Sequence, residues 1–326
     1  MASSDQLKAL IKSHADGDDA RFYAVAMQVA AHAARSGHGR FAVELRELVD
    51  KAKEAAPGVR GKLRPVPVVQ PRGELAGLLT ASYPKTRLGD MVLGPRVRPR
   101  LERVLVEQRQ HARLVAHGFA PLRKLLLVGP PGTGKTMTAS ALAGELALPL
   151  FKIQLDGLIT KFMGETAAKL RLIFDAIEQT RAVYLFDEFD ALGGDRGTKG
   201  DVGEIRRVLN SFLQFIEQDD SESLIVGATN HASLLDQALF RRFDGMIDYT
   251  LPSAAEAEAV MKARLSLLSL DRLEWPKARR AATGLSHAEI VRACEQAAKI
   301  AILDHTTTIA TAGLVDALRE RRATRK

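Results

Sequence analysis

Three short segments carry residue types and spacings that together suit the handling of a triphosphate. The first, Gly129-Pro130-Pro131-Gly132-Thr133-Gly134-Lys135-Thr136, follows the apolar run Leu125-Val128 and precedes a helical stretch, Met137-Leu146. It satisfies the spacing G-x-x-x-x-G-K-[ST] in the strand-to-helix context that gives that spacing meaning. The glycines leave backbone N–H groups able to surround a polyphosphate at the positive end of the helix. Gly129, Pro130, Pro131, Gly132, Thr133, Gly134, Lys135, Thr136 and Met137 are therefore the expected nucleotide-binding residues. Lys135 reaches the β and γ phosphates, and Thr136 holds Mg²⁺.

The second segment is Ala182-Val183-Tyr184-Leu185-Phe186-Asp187-Glu188, an apolar run that ends on two carboxylates. A buried strand has little reason to finish this way unless a cation or a reactant awaits it. Asp187 is expected at Mg²⁺. Glu188, directed to the opposite face by strand alternation, is expected to polarise the attacking water as general base. The third, Leu224-Ile225-Val226-Gly227-Ala228-Thr229-Asn230, gives Asn230 the choice of bonding the γ phosphate, orienting the water, or forming a turn.

These segments need a frame. Five apolar runs of strand length, Leu125-Val128, Leu150-Ile153, Ala182-Phe186, Leu224-Ala228 and Met246-Thr250, alternate with helical stretches. Runs buried on both faces and separated by helices predict an α/β fold, a parallel sheet sandwiched by helices. Past Pro252 the strand signal stops, and Ala254-Leu268, Ser286-Leu303 and Ala312-Arg322 read as a helical C-terminal subdomain. At the other end, Ser3-x-x-Gln6 has capping-box spacing. Apolar residues at helical intervals, among them Phe22, Val25, Ala26, Val29 and Ala33, predict a small N-terminal bundle. The expected organisation is a bundle over 1–55, a Pro-rich basic linker over 56–75, a nucleotide-binding α/β domain over 76–252, and a helical lid over 253–326.

Composition sets the class. The chain has 326 residues, 46% apolar and 26% charged, which fits a globular protein and excludes a disordered one. With a single cysteine, Cys294, neither an internal disulfide nor a cysteine zinc site contributes to stability. No run of membrane-spanning length occurs and the first residues lack a secretory pattern, so a cytoplasmic location without membrane insertion is expected. The net charge of +8 is uneven: residues 56–124 hold fourteen Lys and Arg against four acidic residues. That stretch is either an electrostatic footprint for nucleic acid or an acidic partner, or a set of solvated helix and linker faces.

Taken in order, GPPGTGKT, LFDEFDAL, GATN and LDQALFRRFD resemble the AAA+ ATPases, in the AAA branch that includes proteasomal ATPases, membrane-bound ATP-dependent proteases, katanin and spastin. The likeness runs from about Leu88 to Asp304. It implies ATP hydrolysis by a homo-oligomer, a hexameric ring, with Arg241 and Arg242 entering the neighbouring subunit's site as arginine fingers. It also implies that Lys161, Phe162, Met163 and Gly164 form a pore loop that grips a protein client, the alternative being that Phe162 and Met163 pack in the core. Residues 195–204 look like a second pore loop or, equally, a solvated turn. Gly284-Leu285-Ser286-His287-Ala288-Glu289 resembles the lid motif that contacts the nucleotide base, with Ala288 as the contact and His287 where Gly is usual. There is no H-E-x-x-H, so a fused zinc protease is not expected. Compact bacterial ATPases of this appearance often accompany a subtilisin-like serine protease, which is the expected separate partner. The rival reading is a nucleic-acid-directed ATPase of helicase-loader or transposition-helper type, motivated by the basic stretch.

Overall fold

The computed structural model describes residues 73–158, 165–188, 201–231 and 240–324, with Pro71 and a few helical positions between 25 and 49. The chain divides into two compact units, Met1–Val68 and Val69–Lys326. In the first, Val25, Ala26, Val29 and Ala33 are helical, and Ala26, Val29 and Ala33 are buried.

The second unit is built on a six-stranded sheet: β1 (Leu79–Ser82), β2 (Lys124–Val128), β3 (Leu150–Ile153), β4 (Val183–Phe186), β5 (Leu224–Thr229) and β6 (Gly245–Asp248). Their order across the sheet is β1-β3-β4-β5-β2-β6. All neighbours are parallel except β1, which runs antiparallel to β3. The central strands β4 and β5 are buried along their whole length because both faces are covered, and they are apolar but for Thr229 at the end of β5. Along β4, Val183 and Leu185 enter one core cluster while Tyr184 and Phe186 enter the other, the period-two alternation of a pleated strand.

Ten helices of this unit are described: α1 (Arg98–Arg109), α2 (His111–Ala116), α3 (Lys135–Leu146), α4 (Leu155–Leu158), α5 (Glu165–Gln179), α6 (Asp201–Gln218), α7 (Ala254–Arg264), α8 (Trp275–Ala282), α9 (His287–Leu303) and α10 (Thr311–Ala323). One face of the sheet is covered by α5 and α6. In α5, Leu170, Ile173, Phe174 and Ile177 recur at helical spacing and pack with Phe212 and Ile216 of α6 against Phe151, Tyr184 and Phe186. The other face takes α1 through Leu101, Val104 and Leu105, and α3 through Ala139, Ala141 and Leu142. Small residues let α3 lie close to the sheet, which brings its first turn to the carboxyl ends of the strands.

Helices α7 to α10 form a separate apolar cluster around Met261, Leu285, Ile290, Ala293, Cys294, Leu314 and Leu318. Two of them start at complete capping boxes, Ser253 with Glu256 and Ser286 with Glu289, each satisfying N-terminal donors that the helix cannot pair internally. The five strands read from the sequence are present, the last shifted to Gly245–Asp248. Strand β1 and helix α8 are additions to that reading, and α7 ends at Arg264 rather than Leu268. Among the described residues, no helix is long and apolar enough to cross a membrane.

Candidate nucleotide site at the carboxyl edge of the sheet

Parallel pairing sets the positions of the candidate residues. Val128 is in register with Thr229, and Phe186 with Gly227, so β2, β5 and β4 release Gly129, Asn230 and Asp187 on one rim of the sheet. Strand β5 lies between β2, which leads into the glycine-rich loop, and β4, which leads into the two carboxylates. Asn230 therefore sits between the loop that starts at Gly129 and the carboxylates that follow β4. Open α/β sheets bind ligands at such carboxyl edges.

The loop after β2 is closed by its own lysine. Lys135 Nζ donates to Gly129 O at 2.6 Å, to Pro130 O at 2.9 Å and to Asn230 Oδ1 at 2.8 Å. Thr133 Oγ1 donates to Pro130 O at 2.8 Å. Two glycines are demanded by close approach. At Gly129 (φ 149°) a Cβ would stand 2.2 Å from Tyr249 O; at Gly132 (φ 74°) it would stand 2.6 Å from Ser286 Oγ and 3.1 Å from Ala288 Cβ. The Tyr249 hydroxyl shares a buried hydrogen bond of 2.6 Å with Thr138 Oγ1, and burial pushes its pKa up to about 12. It stays neutral and braces the first turn of α3 from below. Met137, in that turn, is exposed beside the loop.

Asp187 leaves β4 on the face occupied by α3. Thr136 Oγ1 donates to its Oδ2 at 3.1 Å, Lys152 Nζ of β3 donates to the same oxygen at 2.8 Å, and Glu188 N donates to Oδ1 at 3.2 Å. A hydroxyl and a carboxylate oxygen this close are hard ligands suited to Mg²⁺, which keeps several waters and takes only one or two protein donors. Glu188 departs from simple alternation: its φ is 53° and its side chain is exposed. An L-residue pays about 1–2 kcal/mol for this conformation, and such outliers cluster at functional positions. Alternation along β4 therefore does not fix where Glu188 points.

The C-terminal helical region, read from the sequence as a lid, touches the loop directly. Ala288 N donates to Gly132 O at 3.0 Å, and Ser286 N and Oγ donate to Glu289 Oε2 at 2.6 and 2.8 Å. Beside Ala288, both ring nitrogens of His287 are buried without hydrogen-bond partners. Burial holds the imidazole pKa below its ordinary value, and Glu256 opposes that shift in part.

The two arginines separate. Arg242 pairs with Glu217 Oε2 at 2.9 Å in the same chain, whereas Arg241 is exposed. Their segment is anchored by Phe243, buried in the core, and by Asp244 Oδ2, which accepts from Arg123 N and Lys124 N at 2.9 Å each. Below them, Lys124 Nζ donates to Asp219 O at 3.1 Å, and Arg123 pairs with Asp219. Desolvation lowers the Lys124 pKa, with the Arg123 charge acting in the same direction. Lys161, Phe162, Met163 and Gly164 lie outside the described residues, as does most of 195–204.

Lys135, Thr136, Asp187 and Asn230, each singled out in the sequence, lie on one rim of the sheet, whereas Lys152, Ser286 and Asp244 were not singled out there as site residues. The only signal for Lys152 was a charge interrupting an apolar strand, and for Ser286 the S-x-x-E spacing before α9.

Residues 125–251 match the family described as "ATPase family associated with various cellular activities (AAA)". An AAA family ATPase of Sinorhizobium fredii, y4kL, is 34% identical over 309 residues, covering 93% of this chain and 91% of that protein. The ATP-dependent zinc metalloprotease FtsH 1 of Methylacidiphilum infernorum is 34% identical over 227 residues, 67% of this chain and 36% of the relative. The proteasome-activating nucleotidase of Methanothermobacter thermautotrophicus is 33% identical over 210 residues, 62% and 51% respectively. The chain thus spans about a third to a half of the length of these last two.

Proposed function

From the premise that the chain belongs to the AAA family of ATPases and hydrolyses ATP, we propose that it does so between adjacent copies of itself and spends the energy on remodelling a protein client. The observation that carries the reading is the convergence of Lys135, Thr136, Asp187 and Asn230 within hydrogen-bond reach along one sheet edge. In this reading Lys135 and the backbone N–H groups of residues 132–137 hold the triphosphate, Pro130 and Pro131 having no N–H to offer. Thr136 and Asp187 would hold Mg²⁺, which when bound would offset the phosphate charge. Glu188 takes the proton of the attacking water, Asn230 orients that water, and Ala288 packs against the base.

Arg241 is the finger offered to a neighbour, because it is exposed, while Arg242 is held by Glu217 and keeps the segment in place. A finger that acts on the next copy makes the contact head-to-tail, and head-to-tail contacts that close give rings. The proposed assembly is a hexamer.

The client is a protein. The relatives whose names specify a role are a protease and a proteasome-activating nucleotidase, and Lys161-Phe162-Met163-Gly164 carries the aromatic-hydrophobic-glycine pattern that grips an extended chain. A separate subtilisin-like serine protease is the partner proposed to act with the ring. The basic stretch gives the nucleic-acid reading little support where it is described: Arg98, Arg100, Arg103, Arg109 and Arg123 bond to Met91 O, Met246 O, Glu107, Glu145 and Asp219 of the same chain. The carboxylates of Glu107, Glu145 and Asp219 offset the charge of Arg103, Arg109 and Arg123, which weakens the net field that a phosphate backbone would meet there.

Phe162→Ala tests the client half. It should leave ATP turnover within about twofold and stop the processing of an unfolded protein substrate; processing that survives the change would rule threading out.

A further inference from the structure

Lys152 is the one charged residue in β3, whose other three positions are buried. Phe151 and Ile153 enter the core beneath α5 and α6, and Leu150 enters the core beneath α3. Alternation therefore sends Lys152 to the α3 face, where its ammonium lies 2.8 Å from Asp187 Oδ2. Thr136 Oγ1 reaches the same oxygen at 3.1 Å. The Asp187 side chain is 15% exposed, that of Lys152 50%, so a largely buried carboxylate is matched by a lysine that keeps a route to solvent.

We propose that Lys152 is a built-in counter-ion which occupies the metal-facing oxygen of Asp187 and must give it up when Mg²⁺ arrives. An ammonium has three donors and no acceptor. It cannot ligate the metal, and its charge opposes a divalent ion at the same oxygen. A triphosphate brings enough negative charge to shift that balance, so loading of the metal is tied to loading of the nucleotide. Lys152 is on this account a positioning residue that sets the Mg²⁺ requirement without touching the reacting atoms. The inference rests on the reading of Asp187 as a Mg²⁺ ligand.

The experiment measures binding, not turnover. The free Mg²⁺ needed for half-saturation is titrated with a fluorescent ATP analogue on the full chain, for wild type, Lys152→Gln, Lys152→Arg and Asp187→Asn. An ion pair with a half-exposed lysine predicts that Lys152→Gln lowers the half-saturating Mg²⁺ by about two- to fivefold. Lys152→Arg should track wild type, and the Lys152→Gln difference should shrink in high salt as the pair is screened. Affinity for the analogue in excess EDTA should not change. An unaltered or raised Mg²⁺ requirement in Lys152→Gln overturns the proposal, as does a several-fold loss of affinity in EDTA, which would put Lys152 on the phosphates instead. Asp187→Asn separates the two levels. If it abolishes the Mg²⁺ dependence while Lys152→Gln does nothing, only the counter-ion role fails; if it leaves the dependence intact, Asp187 is not the ligand and both readings fall.

Discussion

Replacing Gly132 by Ala puts the contact between lid and phosphate loop under direct load. At φ 74° an L-residue costs about 1–2 kcal/mol relative to glycine. The new Cβ would also stand 2.6 Å from Ser286 Oγ and 3.1 Å from Ala288 Cβ, so something must move. Ser286 is the N-cap of α9, accepting from Glu289 N, and losing such a cap costs about 1 kcal/mol. Together the substitution should cost about 2–3 kcal/mol in urea unfolding, and weaken binding of an ATP analogue because the lid is pushed off the loop. The cycle with Ser286→Gly isolates the collision. Removing Oγ and Cβ of Ser286 clears the path, so the double variant should be about 1 kcal/mol more stable than the sum of the two single effects predicts. A Gly132→Ala protein within 0.5 kcal/mol of wild type, or a cycle without coupling, refutes the claim that the lid bears on the loop through this glycine.

Arg241→Ala should bind ATP normally and hydrolyse it roughly 10³-fold more slowly, the scale of a missing finger; Arg242→Ala, which releases Glu217 within the same chain, should lose far less. Equal losses in both would contradict the division of labour between them. His287 gives a pH signature. Its pKa is lowered in the folded state by burial, so between that value and the ordinary 6.5 the unfolded chain binds more protons and stability rises with pH, by at most about 1.4 kcal/mol per unit. Its contribution is complete above about 6.5 and is lost as pH falls below it. His287→Ala should flatten that acid limb of the unfolding curve, and an unchanged limb would exonerate the imidazole.

The central strands were legible because burial on both faces writes an unbroken apolar run, and the glycine-rich loop because its backbone must pass close to Tyr249 and to the lid. β1 escaped notice: Leu79-Thr80-Ala81-Ser82 is short and mostly uncovered, and its pairing with β3 is non-local. Trp275–Ala282 is masked by Pro276 and by three basic residues, although proline in a first turn is compatible with a helix. The basic stretch stayed open between two readings for a different reason. Charge is visible in sequence, but whether Arg109 faces water or Glu145 depends on helix packing that no local pattern encodes. The same holds for Asp244, whose role as a pin for the start of β2 exists only because β6 is placed beside it.

If one copy's triphosphate machinery is completed by the next, hydrolysis must depend on assembly. ATP turnover per chain is measured as the protein is diluted through its assembly range, with Glu188→Gln as the hydrolysis blank. Turnover per chain should fall with dilution and recover on reconcentration, in step with the oligomer. A rate per chain that stays constant while the protein becomes monomeric would contradict the account.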